Sequence, residues 1–188
     1  LMLARFNAAS AGYAQSYLLI TILAAVLGTG TAHADSYAEV NQLLRSGNTA
    51  QAIARAESYL AGNSRDPQMR FLKGVAQTDA GQTNDAIATF HQLVEEYPEL
   101  AEPYNNLAVI YAGQGDLEKA RAALEMAVRN NPNYAVAHEN LGDIYVRLAY
   151  QSYTRSQELD PRAAAHIRPK LTQLRSLLLP AGSDAVRR

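Results

Sequence analysis

A chain of 188 residues with 17 Lys plus Arg against 18 Asp plus Glu, a formal charge of −1 and 48% hydrophobic residues has the length of one domain and no basic surplus to offset phosphates. This argues against dedicated nucleic-acid binding, and the apolar content argues against wholesale disorder. Cysteine is absent, which excludes a disulfide framework, a thiol nucleophile and thiolate-held zinc or iron–sulfur centres.

The first segment reads as an address. Between Phe6 and Ala34 there is no Asp, Glu, Lys or Arg, and Tyr17 to Leu27 is an apolar run followed by Gly28, Thr29 and Gly30. Ala32, His33 and Ala34 then supply a small-x-small cleavage site, so residues 1–34 are expected to be a signal peptide and the mature chain to begin at Asp35. The apolar run is shorter than the ~20 residues a bilayer span takes, so no permanent span is expected after cleavage. The expected location is exported, periplasmic or at the cell envelope. The alternative is an uncleaved anchor in which the uncharged stretch Asn7 to Ser16 extends the run.

Beyond Ala34 the chain repeats itself. Gly47, Gly81 and Gly115 are 34 apart, as are Ala52, Ala86 and Ala120, and Asn106, Leu107, Ala108 and Tyr111 recur as Asn140, Leu141, Gly142 and Tyr145. Prolines 67, 98, 132 and 161 punctuate the units. In the clearest copy, 101–134, Tyr104, Leu107, Ala108 and Tyr111 share one helical face. Gly113 to Asp116 make a turn in which glycine tolerates positive φ and Asp116 caps the next helix. Leu117, Ala120, Leu124, Ala127 and Val128 give that helix its buried stripe, and Ala108 and Ala120 are small where two helices approach. The unit 67–100 carries Arg70, Lys73 and Gln77 where the next has Tyr104, Leu107 and Tyr111, which thins its stripe, and the unit 35–66 is a divergent end copy.

A 34-residue period with this pattern resembles the tetratricopeptide repeat (TPR), over about Asp35 to Pro161. The resemblance implies an all-α, right-handed TPR-like solenoid of helix-turn-helix units, 35–66, 67–100, 101–134 and 135–161. It also implies a non-enzymatic adaptor with a protein or peptide partner.

The last unit departs from the rhythm. Pro161 follows Pro132 by 29 residues rather than 34, and Ala135 to Leu159 contains no proline and a single glycine, Gly142, assigned to a helix-crossing position. One continuous helix about 37 Å long is expected there, at ~1.5 Å per residue. Its distal half carries Leu148, Tyr150, Tyr153 and Leu159 as a candidate second interface. These are covered either by a C-terminal packing helix within 162–179, using Leu171, Leu174, Leu177 and Leu178 with Pro169 in its first turn, or by a second copy or partner. Residues 180–188 read as a flexible tail.

The chemistry-bearing patterns are missing. None of His33, His91, His138 and His166 has metal-ligand spacing, the glycine pairs lack a following Lys and Ser/Thr, and no serine sits in a nucleophile elbow. No metal, cofactor or catalytic residue is assigned, and His138 is read as a core residue equivalent to Tyr104. Binding is the alternative to catalysis, because stacked helix pairs leave a groove along their first helices. Phe71, Val75, Asp79, Asn105, Asn106, Val109, Glu139, Asn140, Asp143 and Arg147 are the residues expected there. Asn106 and Asn140, one repeat apart, offer donor and acceptor to an extended peptide. Relatives that grip a chaperone's terminal carboxylate use Lys and Arg on this wall; Phe71, Asn105, Val136 and Asn140 at the matching places argue against such a clamp, and the mildly acidic wall suits a neutral or basic segment. The leading reading is an adaptor that assembles or maintains an envelope complex. The alternatives are a structural subunit or homodimer built through the long helix, and a regulatory partner of an envelope enzyme.

Overall fold

The computed structural model describes residues 35–178, and these are helical, with no strand among them. The helices are α1 (35–45), α2 (Thr49–Leu60), α3 (Pro67–Asp79), α4 (Thr83–Glu96), α5 (Ala101–Gly113), α6 (Leu117–Asn130), α7 (Ala135–Leu159) and α8 (Ala164–Leu178), with a 3-10 turn at Pro161–Ala163 before the last. The expected signal peptide and the tail 180–188 lie outside the described residues. The chain divides into two compact units, one ending at Leu72 and the other starting at Lys73.

The recurring glycines set where helices stop. Gly47, Gly81 and Gly115 have φ of +73, +72 and +80°, the left-handed region that a Cβ disfavours. Each glycine N–H bonds the carbonyl three residues back, and the N–H after it bonds the carbonyl five back: Asn48 to Leu43 at 2.9 Å, Gln82 to Gln77 at 2.8 Å, Asp116 to Tyr111 at 2.9 Å. This closure satisfies carbonyls that a helix end leaves unpaired. After the third glycine, Asp116 Oδ1 accepts from the Lys119 amide at 3.1 Å and caps α6 as the sequence anticipates. Lys119 Nζ, 2.8 Å from Asp116, holds that carboxyl below its usual range.

In the first unit, α1 and α2 are tied through polar groups. The Tyr37 and Tyr59 hydroxyls converge on Asp66 Oδ2, and Asp66 Oδ1 accepts from the Met69 amide at 2.9 Å, capping α3. Burial pushes the Asp66 carboxyl up, yet the bonds from Tyr37, the Met69 amide and Tyr59 outweigh it and hold the group below the ordinary aspartate range. Burial and the same carboxylate push the Tyr37 phenol up. A depressed folded-state pKa stabilises above the unfolded value of about 3.9 and is lost as pH falls through the folded value. Asp66→Asn is therefore expected to cost about 1–3 kcal/mol at neutral pH, and the difference from the unmodified chain is expected to shrink below about pH 4. Denaturant unfolding at pH 7 and pH 3 checks both, and a deficit that is equal at the two pH values counts against the assignment.

In the second unit, Ala101, Ala108, Leu117, Ala120, Leu124, Ala127, Ala137 and Ile144 form one buried cluster across α5, α6 and α7. Between α3 and α4, Phe90 is fully buried, and a Cβ on Gly74 would lie 2.6 Å from its ring. Gln77, which replaces an aromatic position, is buried and accepts a bond from Thr89 at 2.7 Å, so the thin stripe carries a satisfied polar pair. His91 Nε2 meets the Tyr111 hydroxyl at 2.7 Å and links α4 to α5.

The long helix runs through Ala135–Leu159 as expected. Two assignments within it change. His138 is exposed, its ring nitrogen 3.0 Å from the Pro132 carbonyl, and is not a core residue. A Cβ on Gly142 would meet nothing within 4 Å, so it is no helix crossing; α7 continues where the earlier units turn back, and among the described residues no helix lies over Gly142.

Helix α8 folds back on α7 and begins earlier than anticipated, which places Pro169 inside the helix instead of in its first turn. Its anchor is Ile167, 2% exposed, followed by half-buried Leu171 and Leu174; Leu177 is 70% exposed and Leu178 is exposed too. The earlier start brings Ile167 into the stripe, and Leu177 falls beside it. Leu148, Tyr150 and Tyr153 are half-buried, with Lys170 Nζ 5.0 Å over the Tyr153 ring, while Leu159 is 69% exposed.

Two glycine substitutions separate backbone from packing. Gly115→Ala has open space but the wrong φ and is expected to cost about 1–2 kcal/mol; Gly74→Ala has an ordinary φ but must displace a buried ring and is expected to cost about 1–3 kcal/mol. Thermal unfolding of both checks this, and a neutral Gly74→Ala contradicts the packing.

Candidate functional site

A cleft of about 290 Å³ opens between α5 and α7. Ala108, Ala112, Leu124 and Ile144 supply an apolar floor, Val109 and Gly113 one wall, and Asn140, Asp143 and Arg147 the other. The repeat explains the placement: α5 and α7 are successive first helices, so residues near 109 and near 143 face each other across the Leu124 side chain of α6.

Val109 is 50% exposed although its neighbours Ala108 and Ile110 are buried, which leaves an aliphatic side chain available at the rim. Asp143 and Arg147 stand one turn apart on α7, and both are exposed. An acid four residues before a base ordinarily pairs with it on a helix. Here neither residue makes an ion pair or side-chain hydrogen bond among the described residues, so both charges border the cleft unspent.

The asparagines divide differently from the repeat spacing. Asn105 is 6% exposed, and its Oδ1 accepts from Asn140 Nδ2 at 2.8 Å, so the two bridge α5 and α7. Asn106, the residue one period before Asn140, bonds back to the Glu102 carbonyl on its own helix at 2.9 Å. Thus Asn105, expected on the groove wall, is core-facing because its amide completes the Asn140 bond, and Asn140 both lines the cleft and holds the helices together. Of the remaining expected residues, Glu139 is exposed outside the cleft lining, Phe71 and Val75 are half-buried on α3, and Asp79 is exposed at the end of α3. Val109, Asn140, Asp143 and Arg147 are the ones brought together. The floor residues Ala108, Ala112, Leu124 and Ile144 and the wall residue Gly113 are not among the site residues expected from sequence; the signal for the floor is the apolar stripe, which marks core and cleft floor alike.

Nothing in this arrangement resembles a nucleophile with its base, and no cluster of three or more His, Cys, Asp or Glu fit to hold a metal occurs among the described residues. No described helix is long and apolar enough to cross a membrane. The cleft offers an apolar socket, an oriented amide and two opposite charges, the elements of non-covalent recognition of a short segment.

Asn140→Ala is expected to leave a buried Asn105 amide oxygen unpaired, at about 1–3 kcal/mol, whereas Asn106→Ala stays within about 0.5 kcal/mol. Urea unfolding of the two variants checks the distinction, and equal losses would refute the bridging role.

Two sequence profiles described as tetratricopeptide repeat match this chain, over residues 37–101 and 77–142, together more than half its length. The chain carries tetratricopeptide repeats. Among curated proteins it is 30% identical to the tetratricopeptide repeat domain-containing protein PYG7, chloroplastic, of Arabidopsis thaliana, over 69% of this chain and 42% of the relative. It is 26% identical to the Photosystem I assembly protein Ycf3 of Prochlorococcus marinus, over 46% of this chain and 51% of that protein. The chain thus spans no more than about half the length of these relatives. Among solved structures, a thermophilic TPR protein of Thermus thermophilus superposes with a TM-score of 0.56 at 26% identity, over 77% of this chain and 81% of that one. The first TPR of Spaghetti (RPAP3), bound to an HSP90 peptide, superposes with a TM-score of 0.56 at 18% identity, over 61% and 90%. The fold is therefore the all-α solenoid type of these proteins.

Proposed function

We propose that this tetratricopeptide-repeat chain is a non-enzymatic adaptor that holds a polypeptide segment in the cleft between α5 and α7. The observation that carries the proposal is the pair Asp143 and Arg147, unpaired beside an apolar floor. Such a cleft suits a segment that places one apolar side chain on Ala112, Leu124 and Ile144, with a basic group toward Asp143 and an acidic or carbonyl group toward Arg147. The volume, about 290 Å³, accommodates a side chain or two rather than a folded domain. The absence of a Lys and Arg row on this wall sets it apart from a terminal-carboxylate clamp. That RPAP3 was solved with an HSP90 peptide and that Ycf3 is named an assembly protein support the general class of activity.

The segment belongs, in this reading, to a component of a cell-envelope complex whose assembly or maintenance the adaptor serves. Support for that setting comes from the uncharged, apolar leader with its small-x-small end at Ala32 to Ala34. A structural subunit is the second reading, favoured by one feature: Leu159 remains largely exposed at the end of α7.

A peptide array probed with the chain tests the recognition. Binding sequences are expected to combine an apolar residue with a flanking basic residue, and the double variant Asp143→Arg, Arg147→Asp is expected to reverse the charge preference, each exchanged contact changing affinity by about tenfold. An unaltered preference in the double variant removes the cleft from the account.

A further inference from the structure

Beyond Lys73, two stretches of the second compact unit each carry one sign of charge, with a mixed stretch between them. Every charged residue from Gly74 to Glu118, spanning α4 and α5, is Asp or Glu, whereas every charged residue from Pro161 to Leu178 is Lys or Arg. The near-zero total conceals this. Helix α8 is the basic pole, and it packs against α7 and the preceding 3-10 turn.

On α8 the positions form three bands. Ile167, Leu171 and Leu174 turn toward α7 and are buried or half-buried. The opposite, outward band is Ala165, His166, Pro169, Thr172, Gln173 and Ser176, all exposed and without Asp, Glu, Lys or Arg. Arg168 and Arg175, two turns apart, edge it on one side; Lys170 and Leu177, also two turns apart, edge it on the other. Arg168 and Arg175 make no ion pair among the described residues, and Lys170 rests over the Tyr153 ring at the α7 seam. Leu177, 70% exposed, brings apolar surface to the end of that second edge, while Leu178 continues the stripe of Ile167, Leu171 and Leu174.

We infer that the outward face of α8 docks on an anionic lipid surface. The apolar stripe of α8 is spent on α7, so the contact offered outward is electrostatic: cations framing an uncharged polar band meet the phosphates of anionic lipids without the helix entering the acyl layer. The cations are spread along the two edges of the helix and do not converge on one point, which suits a plane of many phosphates. Each Lys or Arg at such a surface strengthens binding several-fold, and the acidic α4–α5 region, at the other end of the unit, turns α8 toward the negative surface. This surface is separate from the α5–α7 cleft, so the two activities fail independently.

The absence of cysteine allows a local readout. Ser176→Cys in the full chain, labelled with an environment-sensitive fluorophore, reports the α8 face irrespective of what the leader does. With phosphatidylglycerol vesicles at low salt, a blue shift and a roughly twofold or greater intensity gain are expected, with none on phosphatidylcholine vesicles. High salt or the triple change Arg168→Glu, Lys170→Glu, Arg175→Glu is expected to weaken vesicle affinity by about tenfold or more; helix content by circular dichroism shows that the triple variant remains folded. A triple variant that unfolds is replaced by Arg175→Glu alone, expected to weaken binding several-fold. A signal unmoved by anionic vesicles, an equal response to both lipids, or a response to polyglutamate but not vesicles each overturns the inference, the last in favour of an acidic polypeptide.

Discussion

The left-handed glycine after a helix is the constraint on which the rest of this structure depends. At Gly47, Gly81 and Gly115 the backbone takes a φ that other residues avoid, and the same two hydrogen bonds close each turn. The turn reverses the chain, so that small residues at Ala86, Ala108 and Ala120 are buried where helices meet. Position 149, one period after Gly115, is alanine, and there the helix runs on. The unit is also shortened to 29 residues between prolines, and the long α7, the open surface at Gly142 and the late return of the chain as α8 accompany the loss of that turn.

The cleft is a by-product of the same regularity. Successive first helices present matching faces, and the second helix between them contributes Leu124 as a floor. What makes the cleft particular to this chain is what α7 adds: Asn140, Asp143 and Arg147 along the border of the stripe that Ala137 and Ile144 commit to the core.

Much of the fold is legible in the sequence because period and turn chemistry are local. The helix ends at the three glycines, the Asp116 cap and the uninterrupted Ala135–Leu159 helix are consequences of neighbouring residues. The site is legible only in part. Repeat spacing pairs Asn106 with Asn140 as equivalent groove residues, but Asn140 bonds Asn105, 35 residues away, and Asn106 bonds its own helix, because contact across two helices depends on how they pack and not on equivalence in the period. His138 and Gly142 depart from expectation for a related reason: equivalence to Tyr104 and Ala108 implies burial only if a second helix returns over them, and here none does. The Tyr37, Tyr59 and Asp66 cluster joins residues 22 and 29 positions apart, and nothing in a 34-residue period points to it. Ile167 is hidden because the leucine run downstream dominates the pattern, while the helix starts early enough to bring the isoleucine into the stripe.

The bridge between Asn105 and Asn140 has a bearing on polarity. Because one amide end of Asn140 is committed to Asn105, the side chain cannot rotate freely to suit whatever enters, and its carbonyl is held in a constant orientation beside Asp143 and Arg147. A strand laid along the wall meets an acceptor, an acid and a base in fixed order, and reversing it exchanges every match for a mismatch. Under the adaptor function proposed above, the wall would distinguish the two senses in which a chain can be threaded, a form of selectivity that needs no deep enclosure.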